Sequence, residues 1–154
     1  MAGPVQITAD RRFRFPLQAG FDYITDLRSW PEYWPSFIAL APQSRWSQPG
    51  DTARLTLRLA GRATELQMTL TRIVPYELVE YSSVQRGLPR ARHERHFADD
   101  PDGFAYRIVV EIQPRGGVRR PFDRLFVPRV IERTARETLD NLERRFAERP
   151  TSAT

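Results

Sequence analysis

From Thr52 to Ile112 the apolar residues of this chain recur at every second position, in five runs separated by turn signals; from Phe122 onward the period becomes helical. Strict alternation marks strands with one buried face, whereas a 3.6-residue period marks an amphipathic helix. Leu55, Leu57 and Leu59 share a face of TARLTLRLA (52–60), and Leu66, Met68 and Leu70 share a face of TELQMTL (64–70). Gly61-Arg62 between them reads as a tight hairpin turn. A turn centred there sets Leu57 opposite Leu66, Leu55 opposite Met68, and Arg58 opposite Glu65 on the solvated face. Val74-Pro75-Tyr76 then turns the chain into ELVEYSSV (77–84). A further strand covers 91–98, and DDPDG leads into FAYRIVVEI (104–112).

The flanking segments complete the pattern. A first strand is predicted over 5–15, with Phe13 and Phe15 inward and Arg12 and Arg14 outward. Pro16 opens a short helix to about Leu27, and SWPEYWPSF holds a second short helix or turn. Residues 40–48, with Trp46, read as a strand. At the C-terminal end Val127, Ile131, Ala135, Thr138, Leu139, Leu142 and Phe146 form one helical stripe. Pro128 either kinks that helix or lies near its start. The order of one strand, two short helices, six strands and a long helix predicts an α+β chain: an antiparallel sheet with one apolar face covered by the long helix. One domain over 1–148, with a tail over 149–154, accounts for the length.

Composition narrows the function classes. Cysteine is absent, which excludes disulfides, thiolate metal sites and a cysteine nucleophile and fits a cytoplasmic protein. No apolar run is long enough to insert in a membrane, and the N-terminus lacks the apolar core of a secretory signal. All 24 cationic residues are arginine and the net charge is +5. These arginines are interspersed with carboxylates and no nucleic-acid motif accompanies them, so an acidic ligand or protein partner fits better than nucleic acid. The loop PRGGVRRPFDR (114–124) concentrates Arg115, Arg119, Arg120 and Arg124. It reads as a solvated basic loop or as a steering surface for an acidic partner. No phosphate-binding glycine loop or other cofactor motif is present.

Both histidines lie in ARHERHF (91–97). Phe97 should point inward. Alternation then puts Ala91, His93 and Arg95 on the inner face, and Arg92, Glu94 and His96 outside. Two histidines three apart on a strand face opposite ways, which argues against a metal site. A hairpin through DDPDG sets Phe97 beside Phe104, Arg95 beside Tyr106 and His93 beside Ile108. On the preceding strand Val79, Tyr81 and Ser83 face inward, with Tyr81 near His93. The inner polar set is therefore Tyr81, His93, Arg95 and Tyr106, with Ser83 near its end. A buried arginine needs an acceptor, and no carboxylate clearly shares this face. His93 and Arg95 either contact a ligand or satisfy a purely structural network.

The segments FDYITDLRSWPEYWPSF (21–37), PGDTARLTLRLAGR (49–62), IVPYELVEY (73–81), the strand pair ending in ERHF and FAYRIVVEI, and TLDNLERRF (138–146) resemble the START-like, Bet v 1-like superfamily, and within it the bacterial polyketide cyclase/dehydrase and lipid-transport-like proteins. The resemblance spans almost the whole chain. It implies a helix-grip fold, with a seven-stranded antiparallel sheet curled around the long helix and a cavity between them for a small apolar or polyketide-like molecule. Catalytic residues differ between subgroups of such proteins, so no triad transfers. If the chain is an enzyme, the implied chemistry is aldol-type cyclisation with loss of water. His93 would take the α-proton, and Arg95 with Tyr106 or Tyr81 would stabilise the enolate. Trp34, Leu66, Met68, Phe97, Phe104 and Ile108 would shape the bound chain. No cofactor is implied, and an acidic acyl carrier protein is a candidate partner. The alternatives are a non-catalytic lipid or isoprenoid carrier or sensor, and an interaction module acting through the basic loop.

Overall fold

The computed structural model describes residues 3–59 and 61–149. Strand β1 (Val5–Phe13) leads into helix α1 (Leu17–Thr25), a 3-10 turn (Leu27–Ser29) and helix α2 (Trp30–Tyr33). Strands β2 (Phe37–Leu40), β3 (Thr52–Leu59), β4 (Arg62–Val74), β5 (Leu78–Gln85), β6 (Ala91–Asp100) and β7 (Gly103–Ile112) follow, and helix α3 (Val127–Glu148) ends the fold. The seven strands form one antiparallel sheet in the order β1-β7-β6-β5-β4-β3-β2. Val127, Ala135, Leu139, Leu142 and Phe146 are the buried residues of α3. They face the sheet's buried side, the helix-grip arrangement.

Local chemistry explains the boundaries. The first strand ends at Phe13, two residues short of the sequence expectation, and Pro16 caps α1 with an extended backbone. Asp26 accepts a hydrogen bond from the Arg28 backbone N–H at 2.9 Å, which starts the 3-10 turn. Pro128 falls in the first turn of α3, just after a π-helical turn over Phe122–Phe126. A missing N–H costs little there, so Pro128 marks the start of regular α-helix.

Three expectations need correction. Residues 41–48 are not a strand; the second strand is Phe37–Leu40 instead. Pro42 lacks the N–H a ladder would use. Asp51 gathers the following loop, its Oδ2 accepting from the backbone N–H groups of Ser47 (2.7 Å) and Gln48 (3.0 Å). The β3–β4 register pairs Leu55 with Leu66, Ala53 with Met68 and Arg58 with Ala63. Its closing pair is Leu59 and Arg62, so the turn sits one position earlier than expected. Gly61, at φ 78°, takes up the left-handed conformation such a turn demands. The β6–β7 hairpin closes at Asp100 and Gly103, pairing Phe97 with Tyr106, Arg95 with Ile108 and His93 with Val110. Both hairpins therefore differ from expectation by two residues. A slip of two leaves every side chain on its expected face.

At one end of the sheet aromatic rings close the core. Phe146 of α3 stacks on Phe15 at 4.4 Å and meets Phe13 edge-on at 5.1 Å. Gly20 of α1 lies against Phe104, where a Cβ would come within 2.4 Å of the ring. Arg11 binds Asp140 of α3 at 2.7 Å, and Asn141 Nδ2 donates to the Tyr33 carbonyl at 2.9 Å. These contacts fix α3 against both β1 and α2.

Candidate functional site

Away from the aromatic end, sheet and helix diverge around a cavity of about 230 Å³. Leu66 and Met68 of β4, Val79 of β5, Ile108 and Val110 of β7, and Ile131 and Ala135 of α3 make its apolar walls. Ser36, Arg58, Leu59 and Glu137 are exposed members of the wall and mark where it reaches the surface. Trp34 and Trp30 also line the cavity, their rings 5.4 Å apart.

Tyr81, His93, Arg95 and Tyr106 all lie on this wall. Tyr81 and His93 are directly paired across β5 and β6, and their rings stack at 4.4 Å, nearly parallel. Trp46, although in a loop, packs its edge on Tyr81 at 5.3 Å. Arg95 Nη2 donates to the Tyr81 hydroxyl at 2.7 Å. His93 Nε2 lies 2.7 Å from Ser83 Oγ. His93 Nδ1 and Arg95 Nη1 are buried and have no hydrogen-bond partner among the described residues. The outward set is also as the alternation divides it: His96 Nε2 pairs with Glu94 at 2.9 Å.

Burial sets the protonation states. Desolvation, with Arg95 adding to it, holds the His93 pKa well below its usual 6.5. The imidazole is neutral at pH 7. Desolvation raises the hydroxyl pKa of Tyr81, Tyr106 and Tyr33, so these too are neutral. Arginine stays charged under any ordinary condition. The inner end of the cavity therefore holds one fixed positive charge among neutral hydrogen-bonding groups.

Leu66, Met68, Phe97 and Ile108 line the cavity with Trp34. Phe104 does not. It is fully buried, between Phe13 at 5.3 Å and Phe146 at 5.8 Å. The two-residue register difference carries it past Phe97 toward the closed end. Sequence reasoning missed the cavity-lining Thr134 and Glu137 of α3, which lie outside the apolar stripe of the helix. It also missed Asp123. That carboxylate is fully buried and accepts from the Arg115 backbone N–H (2.7 Å), Nε (2.9 Å) and Nη2 (2.8 Å). Arg115 also reaches the Gly87 carbonyl at 3.2 Å. Part of the basic loop is thus a structural tie between the β5–β6 turn and the approach to α3. Arg119 and Arg120 remain exposed. Among the described residues no cluster of three His, Asp or Glu side chains has metal-site geometry.

The model of one family, polyketide cyclase/dehydrase and lipid transport, matches residues 4–147. The chain belongs to this family. Its helix-grip form also matches solved structures at low sequence identity, which shows the fold alone. A protein from Chromobacterium violaceum has a TM-score of 0.75 at 15% identity, covering 94% of this chain and 99% of the other. Ara h 8.0201 has a TM-score of 0.78 at 11% identity, covering 96% and 100%. The di-domain ARO/CYC StfQ of the steffimycin biosynthetic pathway has a TM-score of 0.75 at 18% identity, with 94% of this chain covering 51% of that one. The family match, together with the shared fold, places the chain in the START-like, Bet v 1-like superfamily. No curated protein sequence matches it. Among the described residues, no helix of this family member is long and apolar enough to cross a membrane.

Proposed function

We propose that this family member binds a polyketide-like molecule in the cavity between sheet and α3 and catalyses its aldol-type cyclisation and dehydration. The observation that carries the reading is the unpartnered pair, His93 Nδ1 and Arg95 Nη1, buried in the cavity wall beside Tyr81, Ser83 and Tyr106. If Nε2–H donates to Ser83, Nδ1 holds the free lone pair and is the base. It removes a proton from a carbon between two carbonyls. Arg95, backed by Tyr81 and Tyr106, meets the resulting enolate oxygen in a low-dielectric wall. The enolate carbon then bonds to a second carbonyl carbon, whose oxygen takes a proton. Loss of a further α-proton and of that hydroxyl as water completes the step. Because burial, with Arg95 adding to it, weakens His93 as a base, the acidic carbon of a β-dicarbonyl suits it. In a turnover assay with a β-polyketide thioester, His93→Gln and Arg95→Met should each lower the rate at least about 100-fold. Unchanged turnover in both variants would remove the assignment.

The weakened basicity of His93 favours a second reading, a cytoplasmic carrier in which the polar set only orients a lipid-like head group. Native mass spectrometry of the purified protein separates the two: stoichiometric retention of an unmodified lipid supports carriage, and conversion of the thioester supports catalysis. For the enzyme, an acidic acyl carrier protein would dock at Arg119 and Arg120. Exposed Val118, Leu125 and Phe126 provide apolar contact beside them.

A further inference from the structure

The cavity's charge is unbalanced, and that imbalance bears on what the cavity accepts. Arg95 spends one donor on the Tyr81 hydroxyl, while Nη1 is buried without a partner. Every other titratable group at this end, namely Tyr33, Tyr81, Tyr106 and His93, is neutral at pH 7. The one carboxylate of the wall among the described residues, Glu137, is exposed at its opening. A buried guanidinium without a counter-charge is costly, and that cost is relieved by an anion that forms a charge-assisted hydrogen bond.

We propose that the cavity holds its ligand as an anion, with an ionised oxygen acid against Arg95 Nη1 and an apolar remainder along α3 and β4. A carboxylate satisfies this geometry, and so does a β-dicarbonyl enolate, its vinylogous equivalent. The inference rests on the reading that the cavity is the ligand site and adds the charge state of what binds. Some 230 Å³ is the room of about eight waters in the liquid, enough for a chain of roughly ten heavy atoms. Octanoate and 1-octanol are then a matched pair differing in the head group.

Calorimetric titration of the unmodified protein should show octanoate binding at least tenfold tighter than 1-octanol, a preference lost in Arg95→Met. Equal or tighter binding of the alcohol overturns the anion proposal but leaves the cavity as a ligand site. Binding of neither compound overturns the cavity reading and the proposal with it. An undiminished preference in Arg95→Met removes Arg95 as the cation. Should Arg95→Met fail to fold, carbon-13 NMR of carboxyl-labelled octanoate bound to the unmodified protein decides. The bound carboxyl should stay ionised between about pH 7 and 5.5, a window in which desolvation alone, by raising its pKa, would protonate it. Protonation within that window refutes the proposal.

Discussion

Acidification should destabilise this protein through His93, and the size of the effect follows from its surroundings. The imidazole faces the Tyr81 ring on one side and Ser83 Oγ on its Nε2. Its Nδ1 is buried without a hydrogen-bond partner, and desolvation next to Arg95 holds its pKa well below 6.5. The unfolded imidazole titrates near its ordinary value. Below that value the unfolded state binds a proton that the folded state refuses, so stability is full above pH 6.5 and declines as the pH falls. While the folded ring stays neutral, the loss is about 1.4 kcal/mol per pH unit. For a chain of this length that is roughly 3–6 °C of melting temperature per unit. Carboxylates also contribute to acid destabilisation, so His93→Gln is the control, since it removes this proton site and no other. Urea unfolding followed by circular dichroism between about pH 7.5 and 5.5 should show the variant gaining on the unmodified protein by that slope below 6.5. Parallel pH profiles would refute the reasoning, because they would mean that the folded ring takes up its proton as readily as the unfolded one.

Other perturbations test separate parts of the structure. Gly20→Ala forces a Cβ to 2.4 Å from the Phe104 ring; overpacking there should cost about 1–3 kcal/mol in urea unfolding. Asp123→Ala strips Arg115 of its paired acceptor and should cost about 1–3 kcal/mol, since Arg115 retains some solvent. Its unfolding midpoint should fall without a change in octanoate affinity. Charge reversal at Arg119 and Arg120 should abolish association with an acidic acyl carrier protein in a pull-down, while leaving stability within about 0.5 kcal/mol. Unaffected association would remove the basic loop as the docking surface.

The faces of the sheet were legible in the sequence, but the pairing of its strands was not. Period two assigns Val79, Tyr81, His93, Arg95 and Phe97 to one side without any knowledge of neighbours. Register depends on where each turn closes, and neither Gly61-Arg62 nor DDPDG states its own loop length. The chain resolved both hairpins two residues from expectation. Parity survived, so the inner polar set survived. The identity of neighbours did not, and Phe104 moved from the expected ligand wall into the aromatic closure with Phe13 and Phe146. Trp46 misled for a related reason: it is buried as strand residues are, yet a loop held by Asp51 delivers it. The Arg115–Asp123 tie was not legible at all, because the short irregular turns between them carry no period from which contact can be read.

What alternation cannot show is how the two inner residues of ARHERHF affect one another. Arg95 faces the cavity from a site two residues along the strand from His93, and its fixed charge adds to burial in lowering the basicity of that imidazole. The same charge stabilises an oxyanion better in this wall than in water. The arrangement therefore suits a ligand whose acidity lies in the molecule itself, as in a carboxylic acid or a β-dicarbonyl, and disfavours one that needs a strong base to activate it.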